Sequence, residues 1–377
     1  MIRRWLGIAL ASLLLTAACG GATPQGKSYT ADDVPLAALM YLWFGFDLQT
    51  GESIGGLGSS HWNTPGDHSA HRRGITDEPE YGFYASDDPG VIAQQLADME
   101  AAGISVLLVS YWGDGDSNLD GRNENKESKA IVRAAKVLFN YISDNSAPFK
   151  IAFLVEPYMP LPLEVTLAQK QSILDFLWDD FYNEYSDLMF QWEGKPLLVT
   201  WDPLELKTPN DPRFTVKTWG SYFGGLDWKT KSNQDWNWYP EPAWLPHMIS
   251  DDGMYVVFPR FDEYWLHIMG RDFDYPYRRV DPLLTEGVYE QTWQVAVDNR
   301  NDIKLIVLYA WNEHKEHASI EPDKGVSPVS YGRSLLEKTA AYYREFLAGQ
   351  PIAVYDDLWS QPVELTSQEH MYYYIPQ

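Results

Sequence analysis

A parallel (β/α)8 barrel with long loops over its C-terminal face is the fold class this sequence predicts, on three observations. Short apolar runs of β character alternate with helical stretches over about 310 of the 377 residues. The runs end in polar or aromatic residues: Trp43, Tyr111-Trp112, Glu156-Pro157-Tyr158, Trp201-Asp202, Arg260 and Trp311-Asn312-Glu313. Barrel enzymes carry their chemistry at such C-terminal strand ends. A doubly wound sheet would instead place a glycine-rich phosphate loop between its first strand and a helix. Here Gly55-Gly56-Leu57-Gly58 has no helical pattern after it.

The first strand is expected over 37–46, followed by a polar loop to Gly82. Asp87-Asp88-Pro89 reads as a helix start, with Asp at the cap and Pro in the first turn. That helix runs over 91–102, with Ile92, Leu96 and Met99 on its apolar face, and Gly103 stops it. Residues 104–111 form an apolar run suited to a strand covered on both faces. A helix over 129–142, a strand over 151–155 and a helix from about 167 to 185 repeat the unit. Further strands are expected at 196–201, 254–258 and 305–309. The Trp-rich stretch 209–246 reads as irregular loops over the site, and 351–377 as an extension packed on a barrel of residues 37–350.

Composition narrows the function. The chain has 53 acidic and 29 basic residues, which argues against a groove that tracks nucleic acid. One Cys excludes a disulfide framework and a Cys-rich zinc site. Sixteen Trp offer faces for sugar stacking, or simply fill a large core. At the N-terminus, Arg3 and Arg4 precede an apolar segment too short to span a bilayer, and Leu15-Thr16-Ala17-Ala18-Cys19 follows. This predicts a lipoprotein signal over 1–18, lipidation at Cys19 and a tether over 19–36. The signal holds two Arg and no acid, so the mature charge is expected to be −26 rather than −24. An exported lipoprotein of the periplasm or cell surface is thus expected, with the lipid as its sole membrane contact.

The strongest chemical feature is Trp311-Asn312-Glu313-His314-Lys315-Glu316-His317. Two carboxylates three residues apart follow an apolar strand. Glycoside hydrolysis needs two such groups beside the scissile bond, one protonated and one ionised. Elsewhere Glu-x-x-Glu is mostly a solvated helix face. Glu156 ends an apolar run, where an unpaired carboxylate is costly. It reads as a site residue, the alternative being an ion pair with a barrel Arg. A metal reading of His314 with His317, or of His61, His68 and His71, lacks recognised ligand spacing. Asp116-x-Asn118-x-Asp120-Gly121 with Glu127 fits a calcium-loop formula, although a strand precedes it, and suggests structural Ca2+. No cofactor is expected for catalysis.

Six segments occur in one order: 40–45 (Met-Tyr-Leu-Trp-Phe-Gly), His61-Trp62-Asn63, 84–92, Val109-Ser110-Tyr111-Trp112, Val155-Glu156-Pro157-Tyr158 and 311–316. Together they resemble glycoside hydrolase family 99, the endo-α-1,2-mannosidases and endo-α-1,2-mannanases. The likeness is dense over 38–160 and 288–322 and poor between them. It implies a retaining endo-hydrolase of internal α-mannosidic linkages on a (β/α)8 barrel. Glu313 would then assist the sugar 2-hydroxyl as it attacks the anomeric carbon, giving a 1,2-anhydro sugar. Glu316 would serve as the acid and then as the base for water. Glu156, Tyr41, His61, Trp62, Tyr111, Trp112, Tyr158 and Asn312 would bind the glycan. The family pattern has Trp-His between its two Glu and Gly after the second, where this chain has His314-Lys315 and His317. An α-mannan oligosaccharide or polysaccharide is the expected substrate, and a monomer the expected state. A related α-glucan-cleaving barrel, a non-catalytic glycan-binding lipoprotein and a barrel that has lost activity are the alternatives.

Overall fold

The computed structural model describes residues 29–62, 78–113, 126–156, 167–201, 211–221, 236–238, 249–262, 279–280, 288–325 and 331–352. The predicted signal segment, Cys19 and residues 353–377 lie outside these. Among the described residues no helix is long and apolar enough to cross a membrane.

Eight parallel strands form the centre: β1 (Leu36–Met40), β2 (Ile104–Tyr111), β3 (Lys150–Val155), β4 (Lys195–Trp201), β5 (Thr215–Ser221), β6 (Trp236–Trp238), β7 (Met254–Val257) and β8 (Leu305–Leu308). Their spatial order is β6-β5-β4-β3-β2-β1-β8-β7. Neighbours in sequence are therefore neighbours in space, with β1 joined to β8 through Ala37 opposite Val307. No ladder joins β6 to β7 among the described residues. Residues in β1, β2, β7 and β8 are buried almost throughout, as expected of strands covered on both faces.

Helices α1 (Pro89–Ala101), α2 (Lys126–Asp144), α3 (Leu167–Leu177), α4 (Val288–Asp298) and α5 (Ser334–Ala348) accompany the sheet. Asp88 Oδ1 accepts the Gly90 and Val91 N–H groups at 2.8 and 3.3 Å, the cap predicted from Asp-Asp-Pro. Ile92, Leu96 and Met99 form the buried stripe of α1. Helix α2 starts three residues before its expected position, with Glu127 in the first turn, where the helix dipole favours an acid.

Three stretches depart from expectation. β1 stops at Met40 rather than continuing to 46, because the Asn312 side chain takes both backbone groups of Tyr41. The chain then turns through Gly45 at φ 83°, where a Cβ would lie 2.2 Å from the Tyr84 carbonyl oxygen. The third helix ends at Leu177 and widens into a π turn over Trp178–Tyr182. That turn sends the Tyr182 hydroxyl to the Leu197 carbonyl at 2.6 Å. Finally, 209–246 is not all irregular loop: it holds β5 and β6, whose polar and aromatic composition hides them from an apolar-run criterion.

Candidate active site

The two carboxylates of the 311–317 motif lie on one tight loop leaving β8. Trp311 N–H donates to Leu39 O at 2.8 Å, so the chain stays tied to β1 beyond the end of β8. Next, Asn312 imitates a strand neighbour: its Oδ1 accepts Tyr41 N–H at 2.8 Å and its Nδ2 donates to Tyr41 O at 2.9 Å. Glu313 Oε1 accepts the backbone N–H of Lys315 at 3.0 Å and of Glu316 at 3.4 Å, closing the turn. His317 ends it at φ 52°, in the left-handed region that favours glycine. Its ring accepts Arg260 Nη1 at 2.8 Å, while Arg260 Nε donates to Ser319 O at 2.9 Å.

Behind the loop is a buried polar network. His314 Nε2 meets Glu321 Oε2 at 2.7 Å, Tyr84 Oη donates to the same oxygen at 3.0 Å, and Gln95 Nε2 donates to Oε1 at 2.6 Å. The Nε2 atoms of His314 and His317 are thus held by a carboxylate and a guanidinium. Among the described residues no cluster of three metal-ligating side chains occurs.

Burial, then the charge of Glu316, pushes the Glu313 carboxyl well above the usual range, with Lys315 opposing. Lys315 therefore acts on Glu313. Burial also raises Glu156, to about 8, and the Glu316 charge adds to it, against hydrogen bonds from Ser110 and Tyr41. The Ser110 hydroxyl lies 2.6 Å from Glu156 Oε1. A carboxyl whose folded pKa is raised stabilises the fold fully below about pH 4.5, and that contribution fades as pH rises towards 8. Glu156→Gln should accordingly flatten the fall in melting temperature across that interval. The check is thermal unfolding of both proteins at matched pH; parallel curves would contradict the burial of this acid.

An aromatic wall faces these acids. Tyr41 stacks on Trp43 at 4.2 Å, and Trp43 stacks on His61 at 4.2 Å and 2°. Trp112 lies tilted against Trp43 at 5.7 Å. His61 Nε2 contacts Glu127, at the start of α2. Burial first and Lys315 second hold the His61 ring at a pKa of about 4 despite that carboxylate, so it is neutral at pH 7. Among the described residues, the buried Trp43 Nε1 and His61 Nδ1 have no hydrogen-bond partner. Buried polar atoms rarely stay unpaired, so this pair suits ligand hydroxyls.

The structure brings Glu156, Tyr41, Glu313 and Glu316 within mutual electrostatic reach and sets His61 and Trp112 against Trp43. Three expected glycan contacts are buried. Trp62 is 0 % exposed, with its indole N–H donating to Tyr84 O and its ring stacked on Phe44. Asn312 is also fully buried, and Tyr111 packs edge-on against Phe153. All three are packed side chains, with Trp62 next to Phe44, Asn312 next to Tyr41, and Tyr111 next to Phe153. Tyr158, Asp116, Asn118 and Asp120 fall outside the described residues, whereas Glu127 is engaged by His61. Sequence reading missed Tyr309, whose hydroxyl donates to Glu316 Oε2 at 2.8 Å, and the central role of Trp43. Tyr309 ends an apolar strand run, and its position there carried no polar signal.

Parallel strands with two carboxyls on the loop after β8, a third ending β3 and an aromatic wall form the kind of site that glycoside hydrolysis requires. Two solved structures of a GH99 endo-alpha-mannosidase from Bacteroides thetaiotaomicron superpose with a TM-score of 0.58 each. The first, in complex with bis-tris-propane, is 17% identical and covers 85% of this chain and 99% of its own; the second is 16% identical and covers 83% and 98%. A glycoside hydrolase-like protein gives 0.52 at 13% identity, covering 86% and 97%. In Mus musculus, glycoprotein endo-alpha-1,2-mannosidase is 30% identical over 141 residues, 33% of this chain. That match spans 27% of the mouse protein's length. No family model matches the chain. In fold and in ordered motifs the chain resembles glycoside hydrolase family 99.

Proposed function

We propose that this protein is a retaining, endo-acting glycoside hydrolase of internal α-mannosidic linkages of the α-1,2-mannan type, built on a closed (β/α)8 barrel. The observation that carries the reading is the pair Glu313 and Glu316 on one buried turn after β8, joined by Glu156 and walled by Tyr41, Trp43 and His61. Glu313 takes the sugar 2-hydroxyl proton as that oxygen attacks the anomeric carbon. Burial works against the ionised form that this role needs, while Lys315 and the backbone N–H groups of residues 315 and 316 favour it. Glu316 protonates the leaving oxygen and then accepts the proton of the water that opens the anhydro sugar, while Glu313 returns its proton to the sugar 2-oxygen.

A linkage panel tests this reading. Release of oligosaccharides from α-1,2-mannan, with retained anomeric configuration by NMR, is expected. Cleavage of α-glucans alone, or tight glycan binding without cleavage, would overturn it. The reading extends to an exported lipoprotein, monomeric and held at the membrane by a lipid on Cys19. Cys19→Ala should move it from the membrane to the soluble fraction. Structural calcium at Asp116, Asn118, Asp120 and Glu127 would appear as a lower melting temperature in chelator; no change removes it.

A further inference from the structure

The turn that carries Glu313 and Glu316 closes on itself. Ala310 N–H donates to Ala318 O at 2.8 Å, Ala318 N–H to Glu313 O at 2.9 Å, and Ser319 Oγ to Trp311 O at 2.9 Å. Residues 318 and 319 thus form a return limb fixed against 310–313, and Glu316 stands on the crown between the limbs. Crown and return limb meet at His317, whose φ of 52° lies in the left-handed region, which an L side chain enters at a conformational cost. Such a residue persists where contacts around it hold it. Arg260, just past the end of β7, supplies such contacts. Its Nη1 donates to His317 Nε2 at 2.8 Å and its Nε to Ser319 O at 2.9 Å, so one rigid plane reaches both sides of Ala318. The guanidinium in turn lies over the Tyr331 ring, 4.8 Å from its centroid. Arg260 is 1% exposed and His317 4%, so water competes little for these bonds. A guanidinium can only donate, so His317 Nε2 accepts, and the ring is the neutral tautomer with its proton on Nδ1.

We propose that Arg260 is a positioning residue: through the His317 ring it holds the end of the catalytic turn in its left-handed conformation and so aims Glu316. Neither Arg260 nor His317 takes part in the proton transfers. Glu316 immediately precedes His317, so the orientation of the peptide between them sets where the Glu316 side chain leaves the backbone. With the ring tied to Nη1 and Ser319 O tied to Nε, that peptide cannot rotate without breaking a buried bond. Tyr309 steadies the far end of the Glu316 side chain, at Oε2, whereas Arg260 fixes the backbone from which it starts. Acid–base catalysis needs the carboxyl in line with the leaving oxygen in both steps. Freeing the ring lets residue 317 leave the left-handed region and swings the carboxyl off that line, and a displacement of about 1 Å can cost about 100-fold in rate.

This inference rests on the hydrolase reading above, and its test separates the two. Arg260→Lys keeps the charge and loses the planar set of donors. On α-1,2-mannan its kcat should fall about 10- to 100-fold, with KM changed less than about threefold. In a His317→Gly background there is no ring to hold, and residue 317 reaches φ 52° freely. There the same change should cost less than about threefold in kcat. An Arg260 that only packs on Tyr331 and Ser319 would cost the same in both backgrounds. Equal losses, or a rise in KM alone, overturn the proposal. Should Arg260→Lys not fold, His317→Ala and His317→Gly carry the test. Both lack the ring, yet only Gly keeps the backbone conformation without cost, so its kcat should exceed that of the Ala variant by about fivefold or more. Equal kcat values overturn the proposal. If wild type cleaves no glycan, the hydrolase reading fails and nitrogen-15 NMR of His317 decides the clamp. One Nδ1–H tautomer in wild type and a mixture in Arg260→Lys is then the expected result, and the same spectrum in both overturns it.

Discussion

Glu316→Gln is expected to lower turnover of α-1,2-mannan by about 10³- to 10⁴-fold while leaving the fold intact. Gln is nearly isosteric and its carbonyl oxygen still accepts the Tyr309 hydroxyl, so the loop has no reason to move. What it lacks is a proton of useful acidity for a sugar leaving group. A substrate whose leaving group is itself acidic, such as a fluorogenic phenol, needs no such proton for the first step. For that substrate the loss should be much smaller in the departure of the phenol, leaving water attack as the slow step. Equal defects on both substrates would assign Glu316 a different role. Wild-type activity of the variant on mannan would remove Glu316 from the chemistry. Glu313→Gln should instead be inactive on both substrates, because the nucleophilic 2-hydroxyl loses its base whatever the leaving group.

Glu321→Ala should be the most destabilising of the changes considered. The carboxylate is 2% exposed and takes Gln95, Tyr84 and His314 at 2.6 to 3.0 Å. Its removal leaves three buried polar groups without their acceptor, at a cost of about 3–5 kcal/mol. Those groups are also the support of the site. Tyr84 touches Asn312 at 3.2 Å, and His314 lies between Glu313 and Lys315 on the catalytic turn. A large fall in the denaturant midpoint, with activity lost even where the protein remains folded, is the expected pair of results. Glu321→Gln, which keeps one acceptor oxygen, should do less harm. A midpoint within experimental error of wild type for Glu321→Ala would show that the network contributes little.

Local rules were enough wherever one property decided the outcome. Asp88, Pro89 and Gly103 bounded α1 because caps and stops act over one turn, and apolar runs located β2, β3, β7 and β8 because both faces of those strands are covered. The same rules failed for β5 and β6, whose sequence carries Lys, Thr and Trp. They failed also for β1, which is cut short by a residue 271 positions away.

At the site, the sequence by itself determined which acids to watch: Glu313 and Glu316 stand out by spacing after an apolar strand, and Glu156 by its cost there. Tertiary structure decided what surrounds those acids. It buried Trp62, Tyr111 and Asn312, put Trp43 between Tyr41 and His61, and gave Glu316 the Tyr309 hydroxyl as a partner. Burial and hydrogen-bond partners depend on contacts between distant segments, and a proton's affinity depends on both. Those quantities exist only once the strands are side by side.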